Sequence, residues 1–442
     1  MKTIIIGGSA TGMGVAARLK RNDPENEIIV YQNKSYVSLG ACGLPYFVAD
    51  NFQDETKLLA RSIEDFEKSG VKIVSNTFVS SVDFDNKKIY FEGGEDSYDE
   101  LVIATGAKPI KPAIEGIDFE NIFTLTSLED GVNLKKYASR TDVKKIAIIG
   151  AGFIGLETAE ALKDLNKEVC IIEMKDHVSS KVFDEQISNL IEDNLSRNKI
   201  ELLLNKQVVK FEGNEGKAKS VFLSDGTSIE VDAVVLAVGF MPNTTMFKET
   251  NLNLAKNGAI IVDKKGKTNI ESVYSGGDCA TSKDYITGED IYSPLATVAS
   301  KFARVIADNI AGKEAEFAGS VKSAIVRVFD NEAARTGLTE SEAVEAGLSI
   351  KTAYIVDKDQ TGYVPGQSDL HLKLIMDVKS NQLIGAQMFG ANKSTLRINA
   401  IAALIWAKMP VDSIMEQIDL VYAPPFARTT DILHIALSKL LK

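Results

Sequence analysis

Lys145-Ile146-Ala147-Ile148-Ile149-Gly150-Ala151-Gly152-Phe153-Ile154-Gly155 decides the fold. A short β-rich apolar run ends at a glycine turn, and Glu157-Thr158-Ala159-Glu160-Ala161-Leu162 continues with apolar residues at helical spacing. A second strand, Glu168-Val169-Cys170-Ile171-Ile172-Glu173, follows. In such a turn the first glycine permits the bend and the last lets helix and strand pack closely. The helix N-terminus offers free N–H groups to a pyrophosphate, and an acid closing the second strand binds a ribose hydroxyl. Gly150, Gly152, Gly155 and Glu173 meet every requirement.

Roughly 145 residues upstream the pattern recurs as Thr3-Ile4-Ile5-Ile6-Gly7-Gly8-Ser9-Ala10-Thr11-Gly12, then Val15 to Leu19 and the strand Glu27 to Gln32. Here Ser9 stands at the middle glycine and Gln32 at the acid; glutamine still hydrogen-bonds a ribose, without charge. Two such units in register predict an α/β chain with two Rossmann-like dinucleotide-binding domains. Leu101 to Ala107 and Val234 to Phe240 read as buried strands ending at glycine, and Val273 to Ala280 places Asp278 where a strand meets a loop. Leu295 to Ile310 reads as a helix. From about Val321 the texture changes to alternating strands and a helix over Thr395 to Lys408, which predicts a separate α+β domain.

The 442 residues suggest about three domains at roughly 150 residues each. A net charge of −11 argues against nucleic-acid and anionic-membrane partners. Three cysteines, Cys42, Cys170 and Cys279, are too few for a disulfide framework and fit a reducing compartment. Three histidines make a His-built metal site improbable, so no metal is expected. The apolar stretch after Lys2 is too short and glycine-broken for a signal peptide, and no window is long enough to span a membrane. A cytoplasmic protein is expected.

With both fingerprints, the Ala104-Thr105-Gly106 stretch and the Gly277-Asp278 element in place, the whole chain resembles a flavin-dependent pyridine nucleotide–disulfide oxidoreductase. The resemblance implies that Gly7, Ser9, Gly12, Gln32, Thr105, Gly106 and Asp278 hold FAD, while Gly150, Gly152, Gly155 and Glu173 hold the nicotinamide nucleotide. It also implies a discontinuous FAD domain (1–112 and 246–320), an NAD(P)H domain (113–245) and a dimerisation domain (321–442), hence a homodimer. Glu173 points to NADH, because its charge repels a 2′-phosphate; Lys175 nearby keeps NADPH open.

Most members carry a CxxxxC redox pair, which this chain lacks. Ser38-Leu39-Gly40-Ala41-Cys42-Gly43-Leu44-Pro45 instead resembles the single-cysteine SxxxCxxP signature of coenzyme A-disulfide reductases. A cysteine in a glycine-rich turn entering a helix (Leu44 to Ala49) is expected to have its thiolate stabilised by the helix N-terminus. One redox thiol must form a mixed disulfide with a small thiol, or cycle through sulfenic acid with peroxide or oxygen. NADH oxidases and peroxidases of the family take the second route and carry a histidine in the first glycine turn. Aligned by Gly7 and Gly12, that position is Ala10.

Val421-Tyr422-Ala423-Pro424-Pro425-Phe426 and Thr361-Gly362-Tyr363-Val364-Pro365-Gly366 resemble two tyrosine elements of the coenzyme A-disulfide reductases, with Val364 in place of a second tyrosine. The resemblance implies that Tyr363 and Tyr422 reach across the dimer and assist a leaving thiolate. Ser38, Arg18, Lys20, Lys57 and Arg61 are candidates for binding the substrate, the cations through its phosphates. The function expected is FAD-dependent NAD(P)H reduction of coenzyme A disulfide, or of a related disulfide or persulfide. An NADH oxidase is the alternative and a non-catalytic nucleotide-binding sensor the distant third.

Overall fold

A computed structural model describes all 442 residues. Its first two sheets follow one plan. Strand Lys2–Ile6 lies between Glu27–Tyr31 and Glu100–Ile103; Lys72–Val74 and Val273–Ser275 form the edges, and every pair is parallel. Lys145–Ile149 likewise lies between Glu168–Ile172 and Ala233–Leu236, with Glu201–Leu203 and Ile122–Phe123 outside, again all parallel. Parallel strands are buried on both faces, which is why both central strands read as unbroken isoleucine-rich runs rather than alternating ones. Helices Ala10–Asn22 and Phe153–Asp164 make the crossovers. A three-stranded antiparallel sheet accompanies each unit. Strand Val273–Ser275 joins the first sheet from far along the chain, next to helix Ala296–Ile310.

The chain passes between the two units through Ala107–Pro109 and returns through Phe240–Pro242, and these segments pair antiparallel. The third region is a five-stranded antiparallel sheet (order Ala324–Val328, Asn331–Gly337, Gln382–Ala391, Asp369–Asp377, Ile350–Lys358). Helices Ile398–Trp406 and Ile432–Leu441 pack into its core. The expected helix over Thr395 to Lys408 divides: Ser394–Arg397 is a 3-10 turn and the α-helix begins at Ile398.

One packing feature was not evident from chain order. Leu44, Phe47 and Val48, directly after Cys42, are buried in the core of the second unit, together with Val326, Val328 and Phe389 of the third region. The cysteine segment is therefore clamped where all three parts of the chain meet. No helix is long and apolar enough to cross a membrane.

Candidate active site

The two glycine loops adopt the backbone that the sequence demands. Gly7 has φ +110°, and a Cβ there would lie 2.1 Å from the Ala104 carbonyl oxygen; Gly150 has φ +104°, with the Ala237 oxygen at 2.5 Å. A Cβ on Gly12 or Gly155 would strike the carbonyl of Gly7 or Gly150. These four glycines are required by the protein itself. Gly152 differs, because a Cβ there would meet nothing within 4 Å. Its smallness serves whatever occupies the space beyond the loop.

At the ends of the second strands the two units diverge. Glu173 Oε2 accepts from the Ala151 N–H at 2.8 Å and Oε1 from the Lys175 N–H at 2.9 Å. Gln32 Oε1 accepts from the Gly8 N–H at 3.4 Å, and its amide donates to the Tyr36 carbonyl at 3.0 Å.

A polar cleft of about 500 Å³ opens above the first sheet. Gly7, Ser9, Gln32, Thr105, Gly106 and Asp278 line it together. Gly12 lies beneath, packed against the Gly7 carbonyl. Ala10 is on the same wall and offers no titratable group. The buried Thr105 hydroxyl has no partner within the protein. A polar cleft at the end of a parallel sheet, with a helix N-terminus that no side chain caps and an orphaned hydroxyl, fits a dinucleotide cofactor. Burial pushes the Asp278 carboxyl above the ordinary carboxylate range.

Cys42 sits in the 3-10 turn Ala41–Gly43, beside Ala41 of the cleft wall. It is the only exposed cysteine, whereas Cys170 and Cys279 are buried. Burial pushes the Cys170 thiol up to about 12 and also raises that of Cys279. The expected helix-stabilised thiolate is not what the surroundings produce. Helix Leu44–Val48 is only five residues long. Partial burial of the sulfur, then the negative charges of Glu157 and Asp278, push the Cys42 thiol up rather than down. Two acids opposing a short dipole raise the cost of the thiolate.

Glu157 and Tyr46 were missed in the sequence. The Tyr46 hydroxyl donates to Glu157 Oε1 at 3.1 Å, and burial raises the Glu157 carboxyl's pKa. Tyr46 itself is pushed up to about 12, by burial first and by Glu157 second. The available signal was positional: Tyr46 is one helical turn beyond Cys42, and Glu157 is two residues past the last fingerprint glycine.

Tyr363 and Tyr422 form a separate cluster. Tyr363 is 74% exposed, and Tyr422 is exposed as well. The neighbouring hydroxyls of Thr429, then of Tyr363 and Thr361, hold the Tyr422 phenol below its ordinary value. Interaction with Tyr422 raises that of Tyr363. The charges acting on Cys42 come from Glu157 and Asp278, not from this pair.

The candidate cations are engaged elsewhere. Arg18 makes a bidentate pair with Asp308, at 2.8 and 2.6 Å. Lys20 donates to the carbonyls of Pro24 and Asn26, and Arg61 lies 4.0 Å over the Phe66 ring. A phosphate at these positions would have to displace those contacts. Lys57 lies in the 3-10 turn Glu55–Leu58. Ser38 adopts a left-handed backbone (φ +57°), and its N–H donates to the Gly8 carbonyl, tying the cysteine segment to the first glycine loop.

Residues 1–302 match the family model described as pyridine nucleotide-disulphide oxidoreductase, and residues 323–432 match that family's dimerisation domain. The chain belongs to this family. Like its members, this pyridine nucleotide-disulphide oxidoreductase is a flavin-dependent NAD(P)H oxidoreductase with Rossmann-like domains and a C-terminal dimerisation domain. It is 37% identical over 444 residues to a "NAD(P)H sulfur oxidoreductase (CoA-dependent)" of Pyrococcus furiosus, covering 100% of this chain and 99% of that one. It is 32% identical over 448 residues to an "NADH oxidase" of Methanocaldococcus jannaschii, covering 100% and 99%. The solved "NAD-Dependent Persulfide Reductase from A. fulgidus" superposes with TM-score 0.96 at 36% identity, over 100% of this chain and 83% of that one.

Proposed function

We propose that this oxidoreductase uses NAD(P)H to reduce coenzyme A disulfide, or a related small disulfide or persulfide, through Cys42. The observation that carries the reading is a lone exposed cysteine beside the polar cleft, with both other cysteines buried. Such a sulfur has no thiol of its own chain to close a disulfide with, and takes a small thiol instead.

Residues 1–112 with 246–320 form the FAD unit: Gly7, Ser9 and Gly12 shape the pyrophosphate turn, Gln32 meets a ribose, and Thr105, Gly106 and Asp278 complete the wall. Residues 113–245 form the nicotinamide nucleotide unit, where Gly150, Gly152 and Gly155 form the turn and Glu173 presents a charge that favours NADH over NADPH. Held by these residues, FAD would supply acceptance of a hydride from the nicotinamide and two-electron transfer to the cysteine. The chain's own part is thiol chemistry. The Cys42 thiolate attacks RS–SR, forms a Cys42–SR disulfide and expels RS⁻. Tyr422, its hydroxyl supported by Tyr363, gives that sulfur a proton across the homodimer formed by residues 321–442. Two electrons and one proton then release the second RSH and restore the thiolate, so NADH, a proton and RSSR give NAD⁺ and two RSH. Three cysteines with no disulfide among them support action in a reducing compartment such as the cytoplasm.

Oxygen reduction is the second reading, supported by the similarity to an NADH oxidase. Ala10 counts against it, since it leaves no protonating side chain at that point of the cleft wall. NADH consumption by the flavin-loaded dimer decides between them. Anaerobic turnover that requires coenzyme A disulfide supports the reductase; consumption only in air supports the oxidase. Flavin that resists NADH altogether would leave only a nucleotide-binding sensor.

A further inference from the structure

Arg397 ends the 3-10 turn Ser394–Arg397, far in sequence from both tyrosine loops, yet it holds the two together. Its Nη2 donates to the Asp359 carbonyl at 3.0 Å and to the Phe426 carbonyl at 2.6 Å. Asp359 precedes Tyr363 by four residues, and Phe426 follows Tyr422 by four. Nη1 donates to the Ser394 carbonyl at 3.0 Å, and Nε pairs with Asp431 at 2.9 Å. Asp431 is a firm anchor: it is buried and caps helix Ile432–Leu441 by accepting from the Leu433 N–H. The loops also touch directly, through the Thr361 N–H to the Pro424 carbonyl at 3.0 Å and the Thr361 hydroxyl to the Ala427 carbonyl at 3.3 Å.

Packing within the chain does little to fix these loops, since Val421 is 89% and Phe426 73% exposed. Within one chain, polar contacts set their register. A guanidinium suits that task, because its fork carries donors in fixed directions, whereas a lysine ammonium is a single point on a flexible stem.

We propose that Arg397 is a positioning residue for thiol release: by bridging both loops it sets Tyr363 against Tyr422 and aims the Tyr422 hydroxyl at the departing sulfur. This rests on the reading that Tyr422 protonates the leaving thiolate. Arg397 touches neither substrate nor cofactor and acts through the loops.

The test uses the flavin-loaded dimer with NADH and coenzyme A disulfide under anaerobic conditions, comparing Arg397→Lys, Tyr422→Phe and their combination. Arg397→Lys should lower kcat about tenfold while flavin reduction by NADH stays at the wild-type rate, because a small misplacement of an acid costs rate rather than binding. The alkaline limb of the kcat–pH profile should move to higher pH as the Tyr422 phenol returns towards its ordinary value. In the double variant kcat should be no lower than in Tyr422→Phe alone. Wild-type kcat and pH limb in Arg397→Lys, with Tyr422→Phe slow, would overturn the proposal alone, as would fully multiplicative losses in the double variant. Wild-type kcat in Tyr422→Phe would defeat the underlying reading and this proposal with it. If Arg397→Lys does not fold, Asp431→Asn keeps an acceptor for the helix cap and weakens the anchor; it should move the limb in the same direction, and an unmoved limb would count against Arg397.

Discussion

Glu173 closes the second glycine loop on itself: its carboxylate accepts from the Ala151 N–H at 2.8 Å, whereas Gln32, at the matching place in the first loop, receives the Gly8 N–H at 3.4 Å. The charged residue is thus fixed before any ribose arrives. Glu173→Gln keeps an acceptor for the loop but removes the repulsion towards a 2′-phosphate. The ratio of kcat/KM for NADH to that for NADPH should fall about tenfold or more, chiefly through a better KM for NADPH. An unchanged ratio would show that nucleotide choice is made elsewhere.

Gly150 and Gly152 should respond differently to the same change. Gly150→Ala forces a Cβ to 2.5 Å from the Ala237 carbonyl oxygen at φ +104°, so thermal unfolding should shift down by several degrees. Gly152→Ala meets no protein atom, and Ser9 already carries a side chain at the matching place in the first loop. Its melting should match wild type while KM for NADH rises about tenfold. Equal melting losses in both would remove the case for a ligand at Gly152.

Glu157 makes stability depend on pH. Burial raises its pKa in the folded chain above the ordinary 4.5, so its contribution to stability is present below that value and is lost as pH rises through the folded pKa. The melting temperature of Glu157→Gln should therefore gain on wild type as pH increases through this window. The same carboxylate raises the Cys42 thiol. Alkylation of Cys42 by iodoacetamide should therefore have its rising limb at lower pH in Glu157→Gln than in wild type. A limb displaced to higher pH would contradict the electrostatic account.

The second unit and the C-terminal domain are locked by a buried cation. Lys373, 3% exposed, pairs with Asp184 at 2.9 Å and Glu340 at 2.5 Å. Asp184 also accepts from the Gln387 amide at 2.6 Å. Lys373→Met leaves two acids without their cation and should cost about 3 kcal/mol, measured by denaturant unfolding at neutral pH. A loss below about 0.5 kcal/mol would show that Gln387 and water suffice.

Much of this was legible in the sequence because it depends on local backbone chemistry. Gly7, Gly12, Gly150 and Gly155 are required by contacts within a few residues and one neighbouring strand, so the motif alone locates the parallel sheets. What escaped depends on distant pairing. Arg18 looked like a free cation on a helix, yet Asp308, 290 residues away, claims it. Cys42 looked like a helix-stabilised thiolate, and only the folded chain brings Glu157 and Asp278 close enough to oppose that. Arg397 carried no motif at all; the two loops it bridges meet it only after folding.

Intact-mass measurement reads whether Cys42 pairs with a small thiol. The flavin-loaded protein, with Cys42 as the free thiol and the flavin oxidised, is mixed with coenzyme A disulfide without oxygen, then treated with NADH. One coenzyme A per chain should appear on Cys42, be absent in Cys42→Ser, and be removed by NADH. A protein that acquires no coenzyme A, yet gains a single oxygen on Cys42 in air, would contradict it and identify oxygen chemistry as the work of this site.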